Sequence, residues 1–181
     1  MKKIATHNSC TGERGYSYTK LFTLFSRCQN KTIEEQFNAG VRYFDIRIRI
    51  TERGIVSAHG FWESERSIQS ILRQLNDLAK NDSAPCYYSI TYEGDLEYKH
   101  FKKYVDSWKG AYKNIILTFV AIKKPYWHIV ETKNLVYCEN CYTILNFSTW
   151  HTFLPIPWLW KKIYHNKVYF NKDSFKMVDF V

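Results

Sequence analysis

Between residues 41 and 50 apolar and polar positions alternate, which predicts a strand with Phe44, Ile46 and Ile48 on one face and Tyr43, Asp45, Arg47 and Arg49 on the other. The period changes between residues 64 and 81, where Ile68, Ile71, Leu72, Leu75, Leu78 and Ala79 follow the helical repeat with charges opposite. A second amphipathic helix is predicted over residues 96–112, with Phe101, Val105 and Trp108 as its stripe. Thr32-Ile33-Glu34-Glu35 reads as a capping box that opens a short helix, with Ile33 and Phe37 on one face and Gly40 as the stop. Further strands are expected at residues 4–9, 55–58, 87–92, 115–120, 135–138, 142–147 and 177–181. Strands alternate with helices in the first half, which argues for α/β, whereas the second half leaves little room for crossover helices.

Three of these pieces carry chemistry at or near a strand end: His7 in Ala5-Thr6-His7-Asn8-Ser9, the segment Asp45-Ile46-Arg47, and His59 in Ala58-His59-Gly60. A parallel α/β barrel presents its reactive groups in this way. If the polar face of residues 41–50 points inward, Asp45 and Arg47 lie about 7 Å apart along the strand, close enough to share a phosphate site. A general base, a general acid and an arginine between them suit phosphodiester cleavage. One proton leaves the attacking hydroxyl, another reaches the leaving oxygen, and the phosphate gains charge. A lone strand-end histidine is more often structural, but a buried Asp–Arg pair adds little net stability and is expensive to desolvate, which favours function.

With 181 residues the chain is read as one domain, residues 1–181, and is short for a complete eight-fold barrel of about 250 residues. The expected fold is therefore a compact, distorted or incomplete TIM-type (β/α) barrel. An aromatic content of 18% argues against disorder, and 26 basic against 17 acidic side chains give a net charge of +9. That balance favours an anionic partner, a phospholipid surface or nucleic acid. Lys and Arg are dispersed and no nucleic-acid recognition motif is visible, so a nucleic-acid partner is not expected.

Five cysteines at irregular spacing do not look like a secreted disulfide framework, and a reducing cytosol is the expected site of synthesis. Met1-Lys2-Lys3-Ile4 resembles the start of a signal peptide, but His7-Asn8-Ser9 interrupts it before an apolar stretch forms. The protein is thus expected in the cytoplasm or exported without a signal peptide, and peripheral at membranes. Cys138-Glu139-Asn140-Cys141 has redox spacing without a second pair to complete a zinc site. His100, His128, His151 and His165 are scattered without ligand spacing. Between residues 150 and 162, Trp150, Trp158 and Trp160 stand beside Lys161 and Lys162 with two prolines, the composition of an interfacial anchor for anionic lipid or of an apolar loop packed over an incomplete barrel.

Taken together, Thr6-His7-Asn8-Ser9, Gln29, Gln36, Gly40-Val41-Arg42-Tyr43-Phe44-Asp45-Ile46-Arg47 and His59-Gly60 resemble the X-domain of phosphatidylinositol-specific phospholipase C. Weaker echoes are Tyr88-Ser89-Ile90-Thr91 as a third strand and Met177-Val178-Asp179-Phe180 as the closing one. The resemblance implies a distorted barrel and an enzyme that first forms a cyclic inositol phosphate and diacylglycerol. It implies His7 as the general base toward the inositol 2-hydroxyl, His59 as the general acid toward the diacylglycerol oxygen, and Arg47 as the phosphate ligand. Asp45 would orient a histidine, His59 by this alignment, and Asp179 would support His7. Asn8, Thr91 and Glu93 join Arg47 as implied substrate-binding positions.

The calcium-dependent type of that family carries a carboxylate at the Arg47 position. A guanidinium there repels a cation, so chemistry without metal or other cofactor is expected. Calcium remains the alternative, with Asn8, Asp45 and Glu93 as oxygen donors. Two departures concern the substrate: Thr91 stands where bacterial members often have lysine, and the region before the last strand is compressed. A glycerophosphodiester-type hydrolase on the same fold and an inactive phospholipid-binding module are the competing readings.

Overall fold

The computed structural model describes residues 4–17, 26–94, 98–122, 136–138 and 175–178. Among these residues nine strands form one mixed sheet. They are β1 (Ile4–Thr6), β2 (Gly15–Ser17), β3 (Val41–Thr51), β4 (Gly54–His59), β5 (Trp62–Ser67), β6 (Cys86–Tyr92), β7 (Ile115–Ile122), β8 (Val136–Cys138) and β9 (Phe175–Val178). Three helices alternate with them: α1 (Ile33–Asn38), α2 (Ile68–Ala79) and α3 (Tyr98–Ala111).

The order β8-β9-β1-β3-β6-β7 is a run of parallel neighbours, with α1, α2 and α3 crossing over between β1, β3, β6 and β7. β9 returns beside β1, as the last strand of a barrel would. The row is not closed among the described residues, where no pairing joins β7 to β8. The fold is thus mixed α/β with an open sheet, and the expectation of a barrel stands only to that extent. The expected strand at residues 142–147 lies outside the described residues.

β3 is the hub, and its two edges are used differently. One edge pairs with β6 over Tyr43–Ile48. The other is divided: its first residues, Val41 to Phe44, pair in parallel with β1, while Ile48 to Thr51 pair antiparallel with β4. β1 and β4 therefore run toward each other along the same edge and stop short on either side of Asp45-Ile46-Arg47. That gap positions the site.

Phe44, Ile46 and Ile48 point into the apolar core with Ile68, Ile71, Leu72, Leu75, Phe101, Val105 and Trp108 of the covering helices. The alternation of β3 is thereby explained, since its polar face looks away from the helices. At Thr32 the hydroxyl accepts from the Glu35 N–H at 3.3 Å and the Glu35 carboxylate accepts from the Thr32 N–H at 2.8 Å, the reciprocal cap the sequence predicts. Residues 64–67 are strand rather than the helix expected from residue 64. Pairing with β4 and β2 extends β5 to Ser67, whose side chain then caps α2 by accepting from the Ser70 N–H at 3.2 Å. β2 lies so close that a Cβ on Gly15 would collide with the Trp62 indole and the Glu63 carbonyl, which restricts that position to glycine.

Candidate active site

Thr6 lies level with Phe44, so the residue after β1, His7, arrives beside Asp45. In β4, Ser57 lies level with Ile48, and continuing that register brings His59 to the same stretch from the opposite direction. The two histidines meet for this reason. Their ring centroids are 6.3 Å apart with planes at 71°.

The turn after His7 is held by side chains acting on backbone. Asn8 is left-handed, with φ 46° and ψ 50°, a conformation asparagine tolerates better than most residues. Its N–H donates to Asp45 Oδ2 at 3.1 Å. Gln29 Nε2 donates to the His7 carbonyl at 3.0 Å and Gln36 Nε2 to the Ser9 carbonyl at 2.7 Å, which gives both glutamines of the motif a structural task. Thr11 Oγ1 accepts from the N–H groups of Cys28 and Gln29, each at 3.0 Å. Residues 26–29 are thereby fixed against the site.

Buried Arg47 is its centre. Nη1 donates to Glu93 Oε1 at 2.9 Å, Nη2 donates to His7 Nε2 at 3.1 Å, and Nε lies 3.6 Å from Asp45 Oδ2. Glu93 also accepts from the Gly60 N–H at 3.4 Å, which ties it to the turn after His59. Ser89 Oγ donates to Asp45 Oδ1 at 3.5 Å. Thr91 is buried one strand over, level with Arg47 on the same face.

The charges of this cluster set one another. Burial first, and then the Arg47 guanidinium, hold His7 down at about 3, against the opposing pull of Asp45 and Glu93. The same two causes lower His59 to about 4, with Glu93 and the Ser26 carbonyl working against them. Burial alone would raise Glu93, but His59, Arg47 and the Gly60 N–H outweigh it and keep the carboxyl below its ordinary range. For Arg47, burial is outweighed by Asp45 and Glu93, and the guanidinium is raised. Both imidazoles are therefore neutral at pH 7 in the free site, facing a fixed cation.

The structure brings His7, Asn8, Asp45, Arg47, Thr91, His59 and Glu93 to one place. Asp179, Trp150, Trp158, Trp160, Lys161 and Lys162 lie outside the described residues. The expected partner of His59 differs: its Nδ1 faces the Ser26 carbonyl at 2.7 Å, while Asp45 is taken by the Asn8 N–H, Ser89 and Arg47. A backbone carbonyl 33 residues away in sequence leaves no residue-type signal. Cys28 is a second residue the sequence did not single out, its Sγ accepting from Asn8 Nδ2 at 3.2 Å. Arg49, given no role from sequence, donates to the Gly60 carbonyl at 3.0 Å and reaches Glu93 at 4.0 Å. Its place two residues after Arg47 on the polar face of β3 was the available signal.

The oxygen donors do not fit a calcium ion. Asp45 and Glu93 both face the Arg47 guanidinium, so the position a cation would take is occupied by a permanent positive charge. Among the described residues no group of three His, Cys, Asp or Glu side chains is placed to share a metal. None of the described helices is long and apolar enough to cross a membrane.

Over part of its length the chain is similar in fold to a bacterial phospholipase C structure. The phosphatidylinositol-specific phospholipase C of Listeria monocytogenes superposes with a TM-score of 0.51 at 19% identity, over 62% of this chain and 40% of that one. A phosphatidylinositol-specific phospholipase C of S. aureus gives 0.49 at 15% identity, over 65% and 46%. The chain thus covers less than half the length of either enzyme, and at these identities the likeness is one of fold. No family model matches the chain, and no curated protein matches it.

Proposed function

We propose that the protein is a phosphodiesterase of the phosphatidylinositol-specific phospholipase C kind, cleaving a phospholipid by attack of a neighbouring hydroxyl. The observation that carries this reading is the meeting of His7 and His59, with ring centroids 6.3 Å apart, beside a buried arginine that donates to His7 Nε2. As the Arg47 guanidinium turns from His7 Nε2 to the phosphate, that nitrogen takes the proton of the attacking hydroxyl while its oxygen bonds to phosphorus. His59, once protonated, gives a proton to the diacylglycerol oxygen as that P–O bond breaks. Arg47 carries the charge that develops on the phosphate, and Asp45 and Glu93 hold the guanidinium in place. Asn8 and Thr91 line the phosphate side of the site, and Asp179 supports His7. The products are a cyclic phosphodiester and diacylglycerol.

The open sheet is completed as a distorted barrel in this reading, and the Trp150, Trp158, Trp160, Lys161 and Lys162 segment contacts the lipid surface. Trp158→Ala then weakens binding to anionic vesicles while sparing a soluble phosphodiester; unchanged vesicle affinity assigns the segment to packing instead. The function itself is tested by release of diacylglycerol from phosphatidylinositol vesicles with and without a chelator. Release that survives chelation supports it, whereas free headgroup alcohol formed without diacylglycerol, and lost on chelation, points to a metal-dependent glycerophosphodiester-type hydrolase.

A further inference from the structure

Asn8 stands where the two histidines meet, and the polarity of its hydrogen bonds is decided by its neighbours. The Ser26 carbonyl only accepts, so its 2.7 Å contact makes Nδ1 the protonated nitrogen of neutral His59. The Arg47 guanidinium only donates, so its 3.1 Å contact makes His7 Nε2 a lone pair. Each Nε2, like Cys28 Sγ, lies 3.2 Å from the same Asn8 side-chain nitrogen, so the two hydrogens of the amide are shared among three acceptors. The amide must present its NH2 group there, because its oxygen would face two lone pairs. Among the described residues, buried Asn8 Oδ1 has no hydrogen-bond partner, a state native structures rarely keep.

We propose that Asn8 is a positioning residue that locks both Nε2 atoms as acceptors in the free site, and that an anionic phosphodiester releases the lock through an amide flip accompanied by proton uptake at His59. The proposal rests on the phosphodiesterase reading of the site. Between about pH 5 and pH 6, close to one proton passes from solvent to His59 Nε2 for each ligand bound. Rotation of the amide then turns Oδ1 toward the new N–H and the NH2 group to the former Oδ1 position, where an oxygen of the bound phosphodiester accepts it, while the Arg47 guanidinium keeps covering the His7 Nε2 lone pair until it turns to the phosphate.

His59 rather than His7 takes the proton, because His7 Nε2 is in direct contact with the Arg47 cation. The groups around His59 are His7 and Asn8 after β1, Asp45, Arg47 and Arg49 of β3, Glu93 after β6, and Cys28 and the Ser26 carbonyl of the 26–29 segment. In the free site His59 is held at about 4 by burial and Arg47, so it is not loaded as an acid at neutral pH. A phosphodiester monoanion near the ring raises it by about three pH units, taking an effective dielectric near 20 and a separation of about 4 Å.

Nitrogen NMR of the full chain with 15N-labelled histidine tests this, using saturating dimethyl phosphate, a phosphodiester with no hydroxyl to attack. Free wild type is expected to keep both Nε2 signals in the lone-pair range from pH 8 to about pH 5, and the ligand to move the His59 midpoint up by about three pH units. Asn8→Asp offers only acceptors and should raise the free His59 midpoint by about one pH unit or more, with a smaller ligand-induced change. Asn8→Gly suits the left-handed backbone, removes the donor, and should raise the free midpoint in the same direction. A wild-type midpoint unmoved by the ligand, or both variants titrating with wild type, overturns the proposal. Turnover of phosphatidylinositol by the same samples separates the two readings. A His59 midpoint that moves without turnover sinks the phospholipase reading alone, and turnover with an unmoved midpoint sinks the Asn8 proposal alone.

Discussion

Replacing Arg47 with methionine keeps much of the side-chain volume and removes the charge around which the site is built. The guanidinium lies 2.9 Å from Glu93 and 3.6 Å from Asp45, and its side chain is 6% exposed. Its loss leaves two carboxylates without their shared counter-charge and with little solvent to screen them. Breaking a buried pair from one side costs about 3–5 kcal/mol. Arg47→Met should lose that much at pH 7 in urea unfolding.

The loss should depend on pH with a definite sign. In wild type Glu93 is held below its ordinary value, so its stabilisation is present above that value and is lost as pH falls through the lowered one. Without Arg47, burial opposes only His59 and the Gly60 N–H, so Glu93 is raised relative to wild type and the variant gains less stability as pH rises. The gap between wild type and variant is therefore widest near pH 7 and narrows toward pH 4. Arg47→Met/Asp45→Asn/Glu93→Gln, which removes all three charges, should recover more than half of it. A loss below about 1 kcal/mol at pH 7, or a gap independent of pH, contradicts the electrostatic account of the cluster.

His7 predicts a second pH dependence, of opposite origin. Its folded value of about 3 lies below the unfolded one, so the unfolded chain binds the proton first, and stability falls as pH drops from about 6.5 toward about 3. Between pH 7 and pH 5 this amounts to about 2 kcal/mol, and His7→Asn should flatten the slope by one proton; an unchanged slope places the titration elsewhere. The partly exposed ring of His59 contributes in the same direction but is screened by solvent. Ser67→Ala removes the α2 cap and should cost about 1 kcal/mol in the same unfolding assay, whereas no loss would mean that the β5–α2 junction is held by packing alone.

Period and caps made much of this fold legible in the chain. The alternation in β3 separated the core residues Phe44, Ile46 and Ile48 from Asp45 and Arg47, and the capping box at Thr32 appears in full. The start of α2 was misread because residues 64–67 carry no strong alternation of their own; pairing with neighbouring strands decides their state. The site was legible where side chains act and obscure where backbone does. His7, Asp45, Arg47 and His59 announce themselves by type and order. The Ser26 carbonyl that fixes the His59 tautomer and the divided edge of β3 that aims both histidines are products of tertiary register.

The central claim is that His7 and His59 act as a base and acid pair on a phosphodiester. Phosphorus NMR of phosphatidylinositol vesicles incubated with wild type, His7→Ala and His59→Ala tests it most directly. The account predicts a cyclic phosphodiester signal from wild type and a loss of at least about a hundredfold in either variant. Wild-type turnover retained by His7→Ala, or a product that never passes through the cyclic species, would contradict it.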